Sequence, residues 1–362
     1  MSMTNELKEK SRSGIPQVQF DNGEVDLAIT PQCRSLHSKH CPSKGLIVGF
    51  VFLLVTICLG EPKYLCIDVS EGASAQEFPV SEMDKVPDNG WGDEYKTDKI
   101  VLLRIPDVEK PFYIGVFEIT QRQWELVTGK RPSYYKNENC YAKRPVEKVS
   151  YDDIRGKDKG SKYPGSSDVD ESSFIGILRA KAKLNMLDLP TRRQWELASR
   201  EPTGIAVSDP VVITRRGRFG VNPGYYLDPK AASADCAADN GTSEVGSYEP
   251  NGRGLYDMEG NVTVWCLDSC DLTDKRITKL GGGIDESHPF GAIRVLKGGN
   301  CQMGHCGFHD DYRHYTARRC SDPTGCVKRL DLIGKCCSPS VIYGQSASLN
   351  SNNIGLRIVV AQ

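Results

Sequence analysis

The sequence predicts an irregular α+β fold with few short helices and short antiparallel strands. Three observations carry that prediction. Helical spacing with start signals is confined to the stretch from Thr120 to Arg200. After Arg200, glycine, proline and asparagine break the chain into short β-like pieces. The 35 glycines and 20 prolines imply many turns and few long elements.

Taken in order, residues 1–44 carry few aromatics and no periodicity, so they are expected to be disordered and polar. Residues 45–60, "GLIVGFVFLLVTICLG", carry no charge and follow Lys39 and Lys44, with Glu61 after them. A basic flank, an apolar run and an acidic exit match a signal peptide or an N-in signal anchor. The run is shorter than the roughly 20 residues that span a bilayer comfortably. Ala73-Ser74-Ala75 looks like a cleavage site but lies far from it. A buried core helix is the competing reading, and no amphipathic partner for it stands nearby. Residues 61–98 are acidic and rich in Ser, Gly and Pro, which reads as a linker, leaving 99–362 as the folded domain.

Within that domain, "KIVLLRIP" (99–106) and "PFYIGVFEIT" (111–120) are β-prone runs bounded by Pro or Gly. Thr120-Gln-Arg-Gln-Trp-Glu-Leu126 is then echoed as Thr191-Arg-Arg-Gln-Trp-Glu-Leu197. In each copy a Thr precedes a Gln by three positions, the spacing of a capping box. Trp124 with Val127, and Trp195 with Ala198, fall on one helical face, which makes each Trp a core anchor before a ligand platform. Pro145–Ser150 reads as a strand entering a Ser-capped turn. Residues 172–186 carry Phe174, Ile177, Leu178 and Leu184 at helical spacing and form the longest predicted helix. No helix is predicted after Arg200.

The formal net charge of -1 offers no field to recruit nucleic acid or anionic lipid. Fourteen cysteines favour an oxidising compartment or metal binding over a reduced cytosolic chain. The segment 301–314 gathers Cys301, His305, Cys306, His309 and His314 with Asp310 and Asp311. Those ligand types suit a transition metal, and they equally suit disulfides with surface histidines. Cys266 with Cys270, and Cys320, Cys326, Cys336 and Cys337, form further clusters whose pairing the sequence does not define. Asp257 and Asn261 stand where they cap a turn.

Six phrases in order, "YIGVFEITQRQW", "PVEKVSY", "LPTRRQWELASR", "GLYDMEGNVTVW", "RVLKGGN" and "IGLRIVV", resemble the formylglycine-generating, sulfatase-modifying factor family over about residues 100–362. The resemblance implies that family's variant of the C-type-lectin-like fold. It also implies oxidation of a sulfatase cysteine, in a Cys-x-Pro-x-Arg motif, to formylglycine with copper and oxygen. Cys301 and Cys306 match the family's copper-holding, catalytic cysteine pair in spacing, with four residues between them just after Gly298-Gly299. They depart in register: the family's first cysteine position falls on Met303, and the second on Phe308. Asn300 replaces the usual Ser. A calcium site is implied at Asp257, Gly260 and Val262, but Val264 stands where the family has a carboxylate. These departures keep open a second implied function, a catalytically inactive binding or accessory module for protein or glycan. A related iron-dependent sulfoxide synthase needs a three-histidine helical domain. Of the six histidines only His37 and His40 precede residue 100, so that reading is set aside. An exported, membrane-anchored or periplasmic or extracellular location follows from residues 45–60, which are also the expected membrane contact.

Overall fold

The computed structural model describes residues 62–107, 109–204, 209–219, 241–269, 277–279, 293–301 and 342–362. Two sheets organise them. The first has the order β2-β1-β3-β4-β11-β5, with every neighbouring pair antiparallel. Its strands are β1 (Tyr64–Asp68), β2 (Val80–Met83), β3 (Lys99–Ile105), β4 (Phe112–Gly115), β5 (Leu187–Asp188) and β11 (Val359–Ala361). The second comprises β6 (Thr263–Ser269), β7 (Ile277–Lys279), β8 (Ile293–Lys297), β9 (Ile342–Ser346) and β10 (Ile354–Gly355), in the order β10-β6-β8-β9-β7. Its centre is antiparallel, but β10–β6 and β7–β9 pair in parallel.

The first sheet is covered on both faces. Strand side chains alternate, so one strand feeds two cores. Leu65, Ile67, Ile100 and Leu102 enter one apolar cluster, while Tyr64, Val101, Leu103 and Ile105 enter the other. Residues 61–98 are therefore not a linker: β1 pairs with both β2 and β3, and α1 (Glu94–Thr97) leads into β3. The loops between these elements supply the acidic, Ser/Gly/Pro-rich composition, and Tyr64–Asp68 is too short an apolar run to outweigh it.

The helices begin where local chemistry predicts. For α2 (Gln121–Thr128), the Thr120 side chain accepts from the Gln123 N–H, and the Thr120 N–H donates to Gln123 Oε1 at 3.0 Å. The same box starts α5 (Arg192–Ser199) at Thr191 and Gln194. The two echoed helices serve different cores, Trp124 in the first cluster and Trp195 in the second. Pro145–Ser150 forms no strand beyond a bridge of Pro145 to Thr120, and Ser150 caps α3 (Tyr151–Arg155) with Asp153 at its third position. The longest described helix is α4 (Phe174–Ala182). Contrary to expectation a further helix, α6 (Pro210–Arg216), follows Arg200. Asp209 caps it and Pro210 opens it, a start signal the sequence carried.

Cys140 is buried and disulfide-bonded, whereas Cys66, Cys266 and Cys301 are buried free thiols. Among the described residues no helix is long and apolar enough to cross a membrane, and the apolar run 45–60 lies outside them.

Candidate functional site

Antiparallel pairing of β6 with β8 sets Val264 opposite Lys297. The residues just before β6 and just after β8 must then lie side by side. Two irregular turns meet there. The Gly260 N–H donates to the Gly298 carbonyl at 2.8 Å, and the Cys301 N–H donates to the Asn261 carbonyl at 2.8 Å. Asn300 Nδ2 adds a bond to Thr263 Oγ1 at 2.9 Å. Gly298 has φ +100°, and a Cβ there would stand 3.0 Å from the Met258 carbonyl oxygen. Only glycine takes that position without strain. Asp257 and Asn261 also sit in the left-handed region, at φ 53° and 57°, where Asn and Asp are the most tolerant non-glycine residues.

A buried carboxylate ties this junction to the first sheet. Glu118, two positions after Val116, accepts from the Val262 N–H at 3.2 Å and from Asn261 Nδ2 at 2.9 Å. Burial, and then the nearby charge of Asp257, pushes its carboxyl well above the usual range. Arg357 approaches from the chain's last segment, donating to the Gly115 carbonyl at 2.6 Å and to the Tyr256 carbonyl at 2.5 Å. Asp257 Oδ2 accepts from the Gly246 N–H at 2.7 Å, and burial raises that carboxyl to about 6. Among the described residues, Asp257 Oδ1 and both oxygens of Glu259 are buried without hydrogen-bond partners.

Cys301 lies in the same junction with no exposed surface. Burial pushes its thiol up to about 12. Arg218 and Arg144 oppose that rise, and Glu147 and Glu118 add to it. Glu147 is itself buried. Its Oε1 accepts from the Tyr134 and Tyr135 N–H groups at 2.7 and 3.0 Å, and burial raises its carboxyl to about 7.

The structure thus gathers Cys301, Asp257, Gly260 and Val262 around one junction, while Cys306 and the histidines of 301–314 lie outside the described residues. The calcium donor set is incomplete. Asp257 Oδ1 is an orphan oxygen, but Val264 is buried in the second apolar cluster and supplies no carboxylate. Calcium takes six to eight oxygens, and among the described residues no three acidic, His or Cys side chains converge as a metal group. The described residues supply only part of that set. For copper(I), only Cys301 of the implied pair falls among the described residues, and it is fully buried. Glu118, Arg357 and Glu147 were missed as site residues, and Asn261 was read only as a turn cap. A signal was present: each is a polar side chain inside an apolar phrase, "VFEIT", "GLRIVV", "GNV" and "PVEKV".

A family model described as the sulfatase-modifying factor enzyme 1-like domain matches residues 104–327, more than half of the chain. A protein of Paenibacillus barcinonensis named chaperone protein LppX is 30% identical over 202 residues, which cover 48% of this chain and 69% of that protein. The formylglycine-generating enzyme of Thermomonospora curvata is 33% identical over 148 residues, 37% of this chain and only 44% of the enzyme's length. Among solved structures, Treponema denticola variable protein 1 is a loose likeness of fold alone. It has TM-score 0.43 and 17% identity, covering 72% of this chain and 95% of its own.

Proposed function

This chain belongs to the sulfatase-modifying factor enzyme 1-like family, and on that premise we propose that it is an accessory, polypeptide-binding member and not a cysteine oxidase. The observation that carries the reading is the position of Cys301. Oxidation of a substrate cysteine needs a reactive thiolate that the substrate thiol can approach. Cys301 has no exposed surface, and its backbone is pinned to Asn261 deep in the junction. It acts here as a small apolar side chain in a fold-holding turn. The relative named as a chaperone supports polypeptide binding, since two thirds of its length aligns with this chain. We place the module outside the cytoplasm, with residues 45–60 as its signal or anchor. The uncharged run after Lys39 and Lys44 and the disulfide at Cys140 both suit an exported chain.

The test is direct. The full chain is preloaded with copper(I) under reducing conditions and incubated with oxygen and a Cys-x-Pro-x-Arg peptide. Mass spectrometry of the peptide should show unchanged cysteine, and the Cys301→Ala variant should behave like the parent. Formylglycine that disappears in the variant would refute the accessory reading and restore the oxidase.

A further inference from the structure

A cavity of about 300 Å³ opens beside α2 and α4, and neither Cys301 nor the turns 257–262 and 298–300 line it. Its lining includes Trp124, Val149, Phe174 and Ile177. Trp124 lies flat on Phe174, with ring centroids 4.5 Å apart and planes 2° from parallel. This aromatic pair belongs to the core and floors a cavity whose lining is otherwise mixed, with Thr128, Ser172 and Asn350 at its sides. Its other side carries Lys130 and Lys148, both exposed. Neither lysine makes an ion pair among the described residues. Asp153 also lines the cavity, its Oδ2 accepting from the Ser150 N–H at 2.9 Å and the Ser150 hydroxyl at 2.6 Å, so its one negative charge stands against the two lysines. Two further features mark the place. Lys148 holds φ +62°, an uncommon conformation for a lysine, with its N–H bonded to the Ser351 carbonyl at 2.9 Å. Tyr134 and Leu349, 62% and 37% exposed, stand two positions and one position along the chain from the lining residues Pro132 and Asn350.

We infer that this cavity takes an apolar side chain of an extended client peptide, whose adjacent carboxylate pairs with Lys130 and Lys148. Charge complementarity selects the occupant: an apolar floor beside two ammonium groups and one carboxylate, Asp153, favours an acidic, apolar sequence over a basic one. The exposed Tyr134 and Leu349 favour a peptide over a compact small molecule, because they offer contacts that a ligand filling only the cavity cannot reach. The inference rests on the accessory reading and names its partner class.

Fluorescence anisotropy with the full chain tests it. The probe is fluorescein-labelled Glu-Leu-Phe-Glu-Gly; the controls are Lys-Leu-Phe-Lys-Gly and Glu-Ser-Ser-Glu-Gly with the same label. The acidic apolar probe should bind saturably, and both controls at least about fivefold more weakly. Added salt should weaken binding, because the ion pairs are exposed. The double variant Lys130→Glu/Lys148→Glu should lose about fivefold in affinity for the acidic probe, the scale of two exposed ion pairs. It should also gain affinity for the basic control. That exchange of preference cannot come from misfolding. Absence of saturable binding by the acidic probe overturns the inference, as does binding that the double variant leaves unchanged. Formylglycine production in the separate peptide assay would strike the accessory reading alone, and the charge-exchange result would still decide the cavity.

Discussion

Replacing Glu147 with Gln should flatten the pH dependence of stability between about pH 5 and pH 8. Glu147 is fully buried, and one of its carboxyl oxygens, Oε2, has no hydrogen-bond partner among the described residues. Two backbone N–H bonds to Oε1 and the charges of Arg144 and Lys148 favour the ionised form, but burial outweighs them and lifts the carboxyl from 4.5 to about 7. The folded state therefore holds a proton over a range in which the unfolded chain has released it. Stability from this group is fully present below about pH 4.5 and is lost as pH rises through 7. At about 1.4 kcal/mol for each pH unit between the two values, the loss is roughly 3 kcal/mol. Glutamine keeps an acceptor for Tyr134 and Tyr135 and carries no charge to bury. The measurement is urea unfolding of parent and variant at intervals across that range, with the slope checked for constancy. The variant should gain on the parent by about 2–3 kcal/mol from the acid end to the alkaline end. A stability difference that stays constant with pH would refute the reasoning, because Glu147 would then titrate at the same pH in both states.

Three other outcomes follow from the same packing. Cys66, Cys266 and Cys301 should resist a water-soluble disulfide reagent in the native chain and react on unfolding, since all three are buried and burial raises each thiol; rapid native labelling of Cys301, located by peptide mapping, would contradict its placement. Glu118→Ala should cost about 1–3 kcal/mol in urea unfolding, because it leaves the buried Val262 N–H without its acceptor and removes one of the two acceptors of Asn261 Nδ2, the other being the Ser243 carbonyl; an unchanged midpoint would mean water or rearrangement replaces the carboxyl. Thr120→Ala should cost about 1–2 kcal/mol by removing the α2 cap and the bond from Thr120 Oγ1 to the Lys96 carbonyl at 2.8 Å, with an unchanged midpoint as the contrary result.

What was legible in the sequence was local. The boxes at Thr120 and Thr191 involve residues three apart, so a reader of the sequence sees both partners at once. The strands 99–105 and 112–115 show their apolar runs in the same way. The inclusion of β1 was hidden because five residues carry too little pattern, and their burial depends on pairing with β3 across a loop. Glu118 was hidden for a stronger reason. Its partner Asn261 lies 143 positions away, and only the packing of the two sheets brings them together. Family phrases marked both places without saying that one side chain bonds the other.

The same distinction decides how Cys301 is understood. Its spacing to Cys306 invites a metal pair, but spacing along a chain says nothing about which way a turn faces. That direction is set by β6 and β8. Their pairing brings Gly260 to Gly298, and the bond from Cys301 N–H to the Asn261 carbonyl follows one turn later. Asn261 is itself held on its other side by Glu118 and by the Ser243 N–H at 3.0 Å. A residue pinned to so well-anchored a carbonyl, only two positions after Gly299, has little chain with which to swing outward. The early register of this cysteine is thus a structural constraint. On the accessory reading proposed above, that position closes the core, and recognition falls to the surface beside Trp124 and Lys148.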